Sequence, residues 1–197
     1  MCHGGNVGCL FDSNFTTVFS TGLTIGINDG AGSKHDANWT GDATGRTALK
    51  SYLPGGGPPS ALTADTINAT SVSGGALAKQ TVTLTLNVGF GIIDSDPSPT
   101  VTPTVDSSGF GALELCHLVE GSTIGALTLT AAQATALNGT SVASVLTDAN
   151  NALGGNGLPG YVGSFGDLNE LVTALNESFN NCTASAFATA YLCVPTP

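Results

Sequence analysis

The chain has 197 residues, of which only 9% are charged, and its 14 acidic against 4 basic residues give a net charge of −10 and a pI of about 4.2. This length is enough for one domain with its own hydrophobic core, so disulfides would reinforce packing and not replace it. Because four basic side chains cannot form a patch that neutralises phosphates, the composition argues against nucleic acid and anionic membrane surfaces as partners.

The first half of the chain carries patterns of extended structure. "FTTVFSTGLTIGI", residues 15–27, has the β-branched and aromatic residues of a strand, interrupted by Gly22. After a glycine-rich loop, "TGRTALKSYL", residues 44–53, predicts a short helix that "PGGGPP" stops. The clearest predicted strand is "QTVTLTLNVGF", residues 80–90, whose alternating Val and Leu side chains would face the core while its threonines face outward.

The second half is predominantly helical in pattern. A Pro/Thr-rich connecting segment, residues 94–106, and a second predicted strand, "ALELCHL", precede it. Two helices are predicted in "TAAQATAL" and in "SVASVLTDANNAL", the second ending at Gly154. A third opens with Ser164 and Asp167, which have the spacing of a capping box. Its apolar stripe consists of Leu168, Leu171, Val172, Leu175 and Phe179, with Asn169, Glu170, Asn176 and Glu177 facing outward.

This order of elements predicts an α+β fold. We expect one domain over residues 1–197, with an antiparallel β-rich N-terminal half packed against three or four short helices from the C-terminal half. No segment approaches the length of apolar chain that crosses a bilayer, so we expect no membrane insertion. The cysteine-bearing segment 1–10 lacks the features of a signal peptide. If the protein is secreted, as its cysteines suggest, we expect this chain to be a processed or excised part of a longer precursor.

The cysteines predict disulfides of an oxidising compartment. Their spacing lacks the paired C-x-x-C pattern of a structural zinc site. We expect Cys2 to bond Cys9 and Cys116 to bond one C-terminal cysteine, with the fifth cysteine free or bonded to a neighbouring subunit. A helix between the two C-terminal cysteines would keep them too far apart to bond each other. The five candidates are Cys2, Cys9, Cys116, Cys182 and Cys193.

No enzyme signature accompanies the histidines, and we predict no catalytic residue, cofactor or metal. Cys116 beside His117 resembles a nucleophile–base pair, but adjacent strand residues point to opposite faces. A metal site built from Cys2, His3, Cys9 and His117 would fit no known spacing. Loop carboxylates could bind calcium through their oxygens, but none of them has EF-hand spacing, so we expect solvated loop acids at Asp29, Asp36, Asp42, Asp94 and Asp96.

Asparagine and tryptophan side chains are the candidate contacts for sugars. The chain has six Asn-x-Ser/Thr triplets, at Asn14, Asn38, Asn68, Asn138, Asn176 and Asn181. They are candidate glycosylation sites if the source organism glycosylates. Trp39 lies inside one triplet, "NWT", and is a candidate glycan contact, but of the two alternatives we favour a core position, because a sugar platform usually needs more aromatic residues than the 6% of this chain.

Several phrases of the chain resemble a known domain. They are, in order, "NFTTVFSTGLTIG", "LKSYLPGGGPPSALTA", "LTLNVGFG", "GFGALELC", "NGTSVASVLTDANNALGG" and "DLNELVTALNESFNNC". Together, over about residues 10–193, they resemble a domain that recurs in secreted and cell-surface proteins of bacteria. The resemblance implies a secreted location and a structural role, and it implies no catalytic residues.

The sequence therefore predicts a non-catalytic structural subunit of an extracellular or cell-surface assembly, such as a filament, pilus-like fibre or surface layer. Its partners would be copies of itself, joined head to tail, because low charge weakens repulsion between copies. The alternative is a glycan-binding or adhesive module of a larger surface protein. A secreted hydrolase would need a convergent acid–base site, which the sequence does not reveal.

Overall fold

The structure is a computed structural model, and it describes residues 7–53, 55–91, 109–180 and 183–195. The helices are α1 (Val7–Val18), α2 (Ala43–Tyr52), α3 (Gly75–Gly91), α4 (Ala131–Leu137), α5 (Val142–Leu153), α6 (Phe165–Asn176) and α7 (Ala186–Tyr191). The strands are β1 (Leu23–Gly26), β2 (Asp36–Trp39), β3 (Thr66–Ile67), β4 (Glu114–Leu115), β5 (Thr123–Ile124), β6 (Leu127–Thr128), β7 (Phe179–Asn180), β8 (Thr183–Ala184) and β9 (Leu192–Cys193). A single turn of 3-10 helix covers Phe110–Ala112.

The strands form small sheets between and beside the helices. In the three-stranded sheet β1-β2-β3, β1 runs antiparallel to β2, whereas β3 runs parallel to β2. Three antiparallel pairs join β4 to β9, β5 to β6 and β7 to β8. The buried apolar side chains of both halves belong to one core cluster. The predicted α+β single domain is therefore confirmed.

The clearest predicted strand, residues 80–90, is wrong, because this segment lies in the longest described helix, α3, of 17 residues. The helix packs against α6, α5 and β1, and its buried side chains lie on more than one face. A helix that is surrounded by the core carries no polar stripe, so the periodicity that reveals surface helices is missing. The described part of the N-terminal half, predicted to be antiparallel and β-rich, instead contains the helices α1, α2 and α3 and one small sheet that includes a parallel pair.

Threonines make α3 compatible with burial. The hydroxyls of Thr81 and Thr85 donate to the carbonyls of Leu77 and Thr81 at 2.8 Å, and Thr83 donates to the carbonyl of Lys79 at 3.0 Å. Each bond joins a side chain to the backbone one turn earlier, so the hydroxyl needs no partner outside the helix. The alternating Thr residues, which favour strands by propensity, are satisfied within the helix.

The predicted strand over residues 15–27 is correct only in its second part. Residues up to Val18 belong to α1, and the strand is confined to β1. The helical part is marked by Phe11, Phe15 and Phe19, whose neighbouring rings lie 5.1 and 5.4 Å apart between centroids. Spacing by four places these rings on one helical face, where they add aromatic contacts to their burial.

The predicted helix over residues 44–53 is confirmed as α2, and it is tied to α1 by Asp12. The ammonium of Lys50 lies 2.7 Å from the Asp12 carboxylate, and Arg46 donates to the Asp12 carbonyl at 2.6 Å. The hydrogen bond from Lys50 holds the pKa of Asp12 below its ordinary value. Two of the four basic side chains of the protein are therefore used at this junction.

The three predicted C-terminal helices are confirmed as α4, α5 and α6. Ser164 accepts the backbone N–H of Asp167 at 3.1 Å, as a capping residue should, but the Asp167 carboxylate accepts from Gly163 at 3.0 Å. Phe179 falls in β7 and not in the helical stripe. Asn176 is half-buried and does not face outward, because its amide bonds to α3.

We predict that Thr81→Asp and Thr83→Asp will differ sharply in stability. Thr81 is fully buried whereas Thr83 is half-buried, although the strand prediction placed both on one exposed face. A buried, unpaired carboxylate should lower the free energy of unfolding by about 3 kcal/mol or more at position 81. At position 83 the loss should not exceed about 1.5 kcal/mol. Urea unfolding followed by circular dichroism measures both, and equal losses would contradict the buried helix.

Candidate functional site

The C-terminus is fastened to the middle of the chain by a disulfide. Cys116 bonds Cys193, with their Cα atoms 6.0 Å apart, beside the paired strands β4 and β9. The Cys116 N–H also donates to the Tyr191 carbonyl at 2.9 Å. The predicted bond from Cys116 to a C-terminal cysteine is confirmed, and its partner is Cys193. Cys2 and Cys182 lie outside the described residues, as does the side chain of Cys9, so the predicted Cys2–Cys9 bond does too.

His117 lies against this disulfide, contrary to the prediction that Cys116 and His117 point to opposite faces. The strand β4 ends at Leu115, and His117 has a left-handed backbone with φ of 58°. This conformation, which is uncommon for a residue other than glycine, ends the alternation of the strand. The imidazole Nδ1 thereby lies 3.7 Å from the Cys116 sulfur. Because that sulfur is held in a disulfide, it is not a thiolate nucleophile in this form.

Cys116, His117 and Cys193 form the group with metal-site geometry among the described residues. One potential ligand atom from each residue lies within 4.8 Å of the others. Both cysteines are half-buried and His117 is exposed, so solvent reaches the group. Thiolates bind metals, whereas disulfide sulfurs are poor ligands, and the oxidised form is therefore a covalent cross-link and not a metal site. The other metal site considered from sequence, built from Cys2, His3, Cys9 and His117, includes residues outside the described ranges.

Each described loop carboxylate that was a candidate calcium ligand accepts hydrogen bonds from its own neighbours. Asp29 accepts from the Ser33 hydroxyl and from backbone, and these hydrogen bonds lower the pKa of Asp29 to about 2. Asp36 accepts from the Asn28 amide at 3.1 Å. Asp42 caps α2 and accepts two backbone N–H groups at 2.9 Å. These residues form no three-ligand group in the described part of the chain. Asp94 and Asp96 lie outside the described residues.

Trp39 is a core residue, so its proposed contact with glycan is wrong. Its side chain is 0% exposed, and its ring lies 4.9 Å from that of Tyr52 between centroids. The indole N–H donates to the Ala69 carbonyl at 2.9 Å, which satisfies the polar edge that a buried tryptophan must pair. The alternative, that Trp39 belongs to the core, is confirmed.

Four of the sequon asparagines use their amides inside the fold. Their Nδ2 groups donate to Thr24 (Asn38), Thr40 (Asn68), the Leu118 carbonyl (Asn138) and the Gln80 carbonyl (Asn176), at 2.7 to 3.1 Å. Asn14 is half-buried on α1, and Asn181 lies outside the described residues. N-glycosylation attaches the sugar at this same nitrogen. In these four residues the nitrogen therefore already donates a hydrogen bond within the fold.

An open cleft lies between α6, α7 and the β5–β6 turn. Its volume is about 580 Å³, which falls within the range of small-ligand pockets. Aromatic side chains of Phe187 and Tyr191, whose ring centroids are 5.8 Å apart, lie on the α7 side. Glu170 and Glu177 lie on the α6 side. The cleft therefore combines apolar ring faces with hydrogen-bond acceptors.

Glu170 also builds the wall of this cleft. Its carboxylate accepts the Ala126 N–H at 2.9 Å, and a Cβ atom on Gly125 would collide with the carboxylate. Gly125 has φ of +57°, a left-handed backbone conformation that favours glycine in this turn. The seven-residue spacing of Glu170 and Glu177 could have indicated a shared helix face from sequence. Their proximity to α7 depends on tertiary packing and carries no local signal.

Within the ranges that the structure describes, no helix has the length and apolar character needed to cross a membrane. Comparison with protein-family models finds no match, and comparisons with curated proteins and with solved structures find none either.

We predict that Asn176 is a structural amide and carries no sugar. Its side chain joins α6 to α3 by donating to Gln80 and accepting from Asn87. Asn176→Ala should lower the free energy of unfolding by about 1–3 kcal/mol, because these partly buried partners lose their hydrogen bonds. Ser178→Ala is the matched control, since it destroys the same sequon and keeps the amide.

In a host that glycosylates, Ser178→Ala should leave the glycan mass unchanged and cost no more than about 1 kcal/mol. Urea unfolding and intact-mass spectrometry provide the two measurements. Loss of a glycan mass from Ser178→Ala would show that Asn176 is modified and would contradict this assignment.

Proposed function

We propose that this protein is a non-catalytic structural subunit of an extracellular or cell-surface assembly, such as a filament, pilus-like fibre or surface layer. Its partners are copies of itself, and its exterior is a candidate for glycosylation. The observation that carries the proposal is an exposed sheet edge at β3, where the side chain of Ile67 is 74% exposed. The assembly would add a strand from a neighbouring copy at this edge.

The two edges of the three-stranded sheet differ in a way that favours β3 as the joining edge. At β1, the Gly26 N–H donates to the Asn150 side chain of α5 at 2.9 Å, so a helix covers that edge. At β3, Ile67 pairs only with β2 within the described sheet and carries its apolar side chain into solvent. Soluble proteins usually protect such edges with charges, prolines or a covering element.

Charge and polar chemistry also support a structural subunit. Only 9% of residues are charged, and two of the four basic side chains face Asp12 of the same chain. Little cationic surface is left for binding anions. The described Asp and Asn candidates for ligand binding are used to hold loops and helices together, which suits a role in shape and not in catalysis.

An extracellular location is the setting that these features favour. The Cys116–Cys193 disulfide is of a kind that forms and persists in oxidising compartments. It closes a sequence separation of 77 residues, and cross-links over such loops are worth about 2–5 kcal/mol of stability. The resemblance to a recurrent domain of secreted bacterial proteins favours the same location.

The assembly proposal predicts that Ile67→Lys blocks polymerisation. A lysine on an edge strand opposes pairing with another strand, because its charge would be desolvated at the joint. The association constant for each joint should fall by about tenfold or more, equal to about 1.4 kcal/mol, and the polymer fraction should fall with it. Ala132→Lys, at an exposed position of α4, adds the same charge elsewhere and should leave assembly unchanged.

Sedimentation velocity with negative-stain electron microscopy of the full chain tests this prediction, after circular dichroism confirms that both variants fold. Polymers of the wild type and of Ala132→Lys, with monomers of Ile67→Lys, would support the proposal. Wild-type monomers of 19.5 kDa at every concentration, or normal polymers of Ile67→Lys, would contradict it.

The second candidate is a glycan-binding or adhesive module, and the cleft between α6 and α7 is the observation that favours it. With Trp39 buried, the aromatic surface for a sugar would be Phe187 and Tyr191, and Glu177 would accept hydrogen bonds from sugar hydroxyls. Such a module would remain monomeric and bind its ligand through this cleft.

For this second candidate, Glu177→Gln should weaken glycan binding about tenfold or more, because hydrogen bonds to a carboxylate exceed those to an amide. Glu120→Gln, an exposed change outside the cleft-lining residues, is the matched control. Glycan-array binding followed by calorimetry on the best ligand gives the comparison. Equal binding by both variants, or no binding by the wild type, would remove this candidate.

A further inference from the structure

We propose that reduction of the Cys116–Cys193 disulfide creates a zinc site whose protein ligands are the two cysteine thiolates and the His117 imidazole. The oxidised protein would hold β4 and β9 together by a covalent bond, and the reduced protein would hold them through the metal. This inference goes beyond the proposed assembly and does not depend on it. It depends on the geometry of three residues.

The distances fit tetrahedral zinc. Zinc binds thiolate sulfur at about 2.3 Å and imidazole nitrogen at about 2.0–2.1 Å, which separates neighbouring ligand atoms by about 3.5–3.8 Å in a tetrahedron. Cys116 Sγ and His117 Nδ1 already lie 3.7 Å apart. All three potential ligand atoms lie within 4.8 Å of one another. Only the two sulfurs, which are bonded to each other in the oxidised form, must separate.

The backbone around the site does not need the disulfide to keep its ligands together. β4 pairs with β9 in the register Leu115↔Leu192, and both of these leucines are buried in the core. The Cys116 N–H donates to the Tyr191 carbonyl at 2.9 Å. After reduction, these contacts still hold Cys116 and Cys193 on neighbouring segments. The fold therefore holds the two cysteines close together before any metal binds, which lowers the entropic cost of binding.

The chemistry of the site favours zinc over harder ions. Two thiolates and one imidazole are the ligands that select zinc, whereas calcium and magnesium prefer oxygen. His117 is exposed and both cysteines are half-buried, so water has access to the fourth coordination position. A site with three protein ligands and one open position is the usual form of accessible zinc centres.

The redox step balances with a dithiol or a phosphine as the reductant. A dithiol gives two electrons and two protons to the disulfide, so the S–S bond breaks, two thiols form, and the dithiol becomes a cyclic disulfide. With a phosphine, water supplies the oxygen and the two protons, and the phosphine becomes its oxide. Zinc then displaces the two thiol protons as the two sulfur–metal bonds form.

Cobalt(II) is the probe that tests the site, because its spectrum reports tetrahedral coordination and sulfur ligation. The full chain is reduced with an immobilised phosphine, which is then removed, and Co²⁺ is titrated under anaerobic conditions with Zn²⁺ added last. A parallel chain with Cys2, Cys9 and Cys182 replaced by serine isolates the two cysteines of the site. His117→Ala and Cys193→Ser remove one ligand each, and His35→Ala is the control for loss of an imidazole elsewhere.

We expect sulfur-to-cobalt charge-transfer bands in the reduced chain, their absence in the oxidised chain, and displacement of Co²⁺ by Zn²⁺. His117→Ala should bind Co²⁺ at least about tenfold more weakly and lose the tetrahedral band pattern. His35→Ala should match the parent chain. His117→Ala keeps the disulfide until reduction, so it tests the site even if Cys193→Ser does not fold. No charge-transfer bands, or unchanged binding by His117→Ala, would overturn the proposal.

Discussion

The burial of α3 is the constraint on which the rest of the structure depends. This helix has no charged side chain except Lys79, and α5, α6 and β1 pack around it. A central helix must satisfy every polar group without water, and its threonine hydroxyls do so by donating to carbonyls one turn earlier. The apolar Val and Leu side chains are then free to meet neighbours in several directions, which places both halves of the chain around one core.

Polar side chains nearer the surface also bond mainly to other parts of the fold. Asn176 joins α6 to α3, Asn150 covers the edge of β1, and Asp12 joins α1 to α2. Each of these side chains therefore has a structural use. Three other features remain available for partners. They are the uncovered edge at β3, the aromatic and acidic cleft beside α7, and the disulfide with its adjacent His117.

Sequence patterns predicted α2, α4, α5 and α6, missed α1, and gave a strand in place of the buried helix α3. The apolar stripe and the Ser164 cap were sufficient to predict α6 as a helix. The short helices before it were predicted in the same way, because one face of each helix meets water. The threonine alternation of α3 predicted a strand because β-branched residues favour strands when tertiary context is ignored. The left-handed backbone of His117 had no sequence signal, so its contact with Cys116 was predicted to be absent. The cleft joins distant segments and likewise required the fold.

The measurement that tests the central claim most directly is the set of ¹³Cα chemical shifts of residues 75–91 in the folded protein. Helical residues shift to higher frequency than their random-coil values and strand residues to lower frequency. The account predicts an unbroken run of positive deviations through the threonine-rich segment, residues 80–88. A run of negative deviations there would show that the segment is a strand. The central buried helix on which the packing of both halves depends would then be wrong.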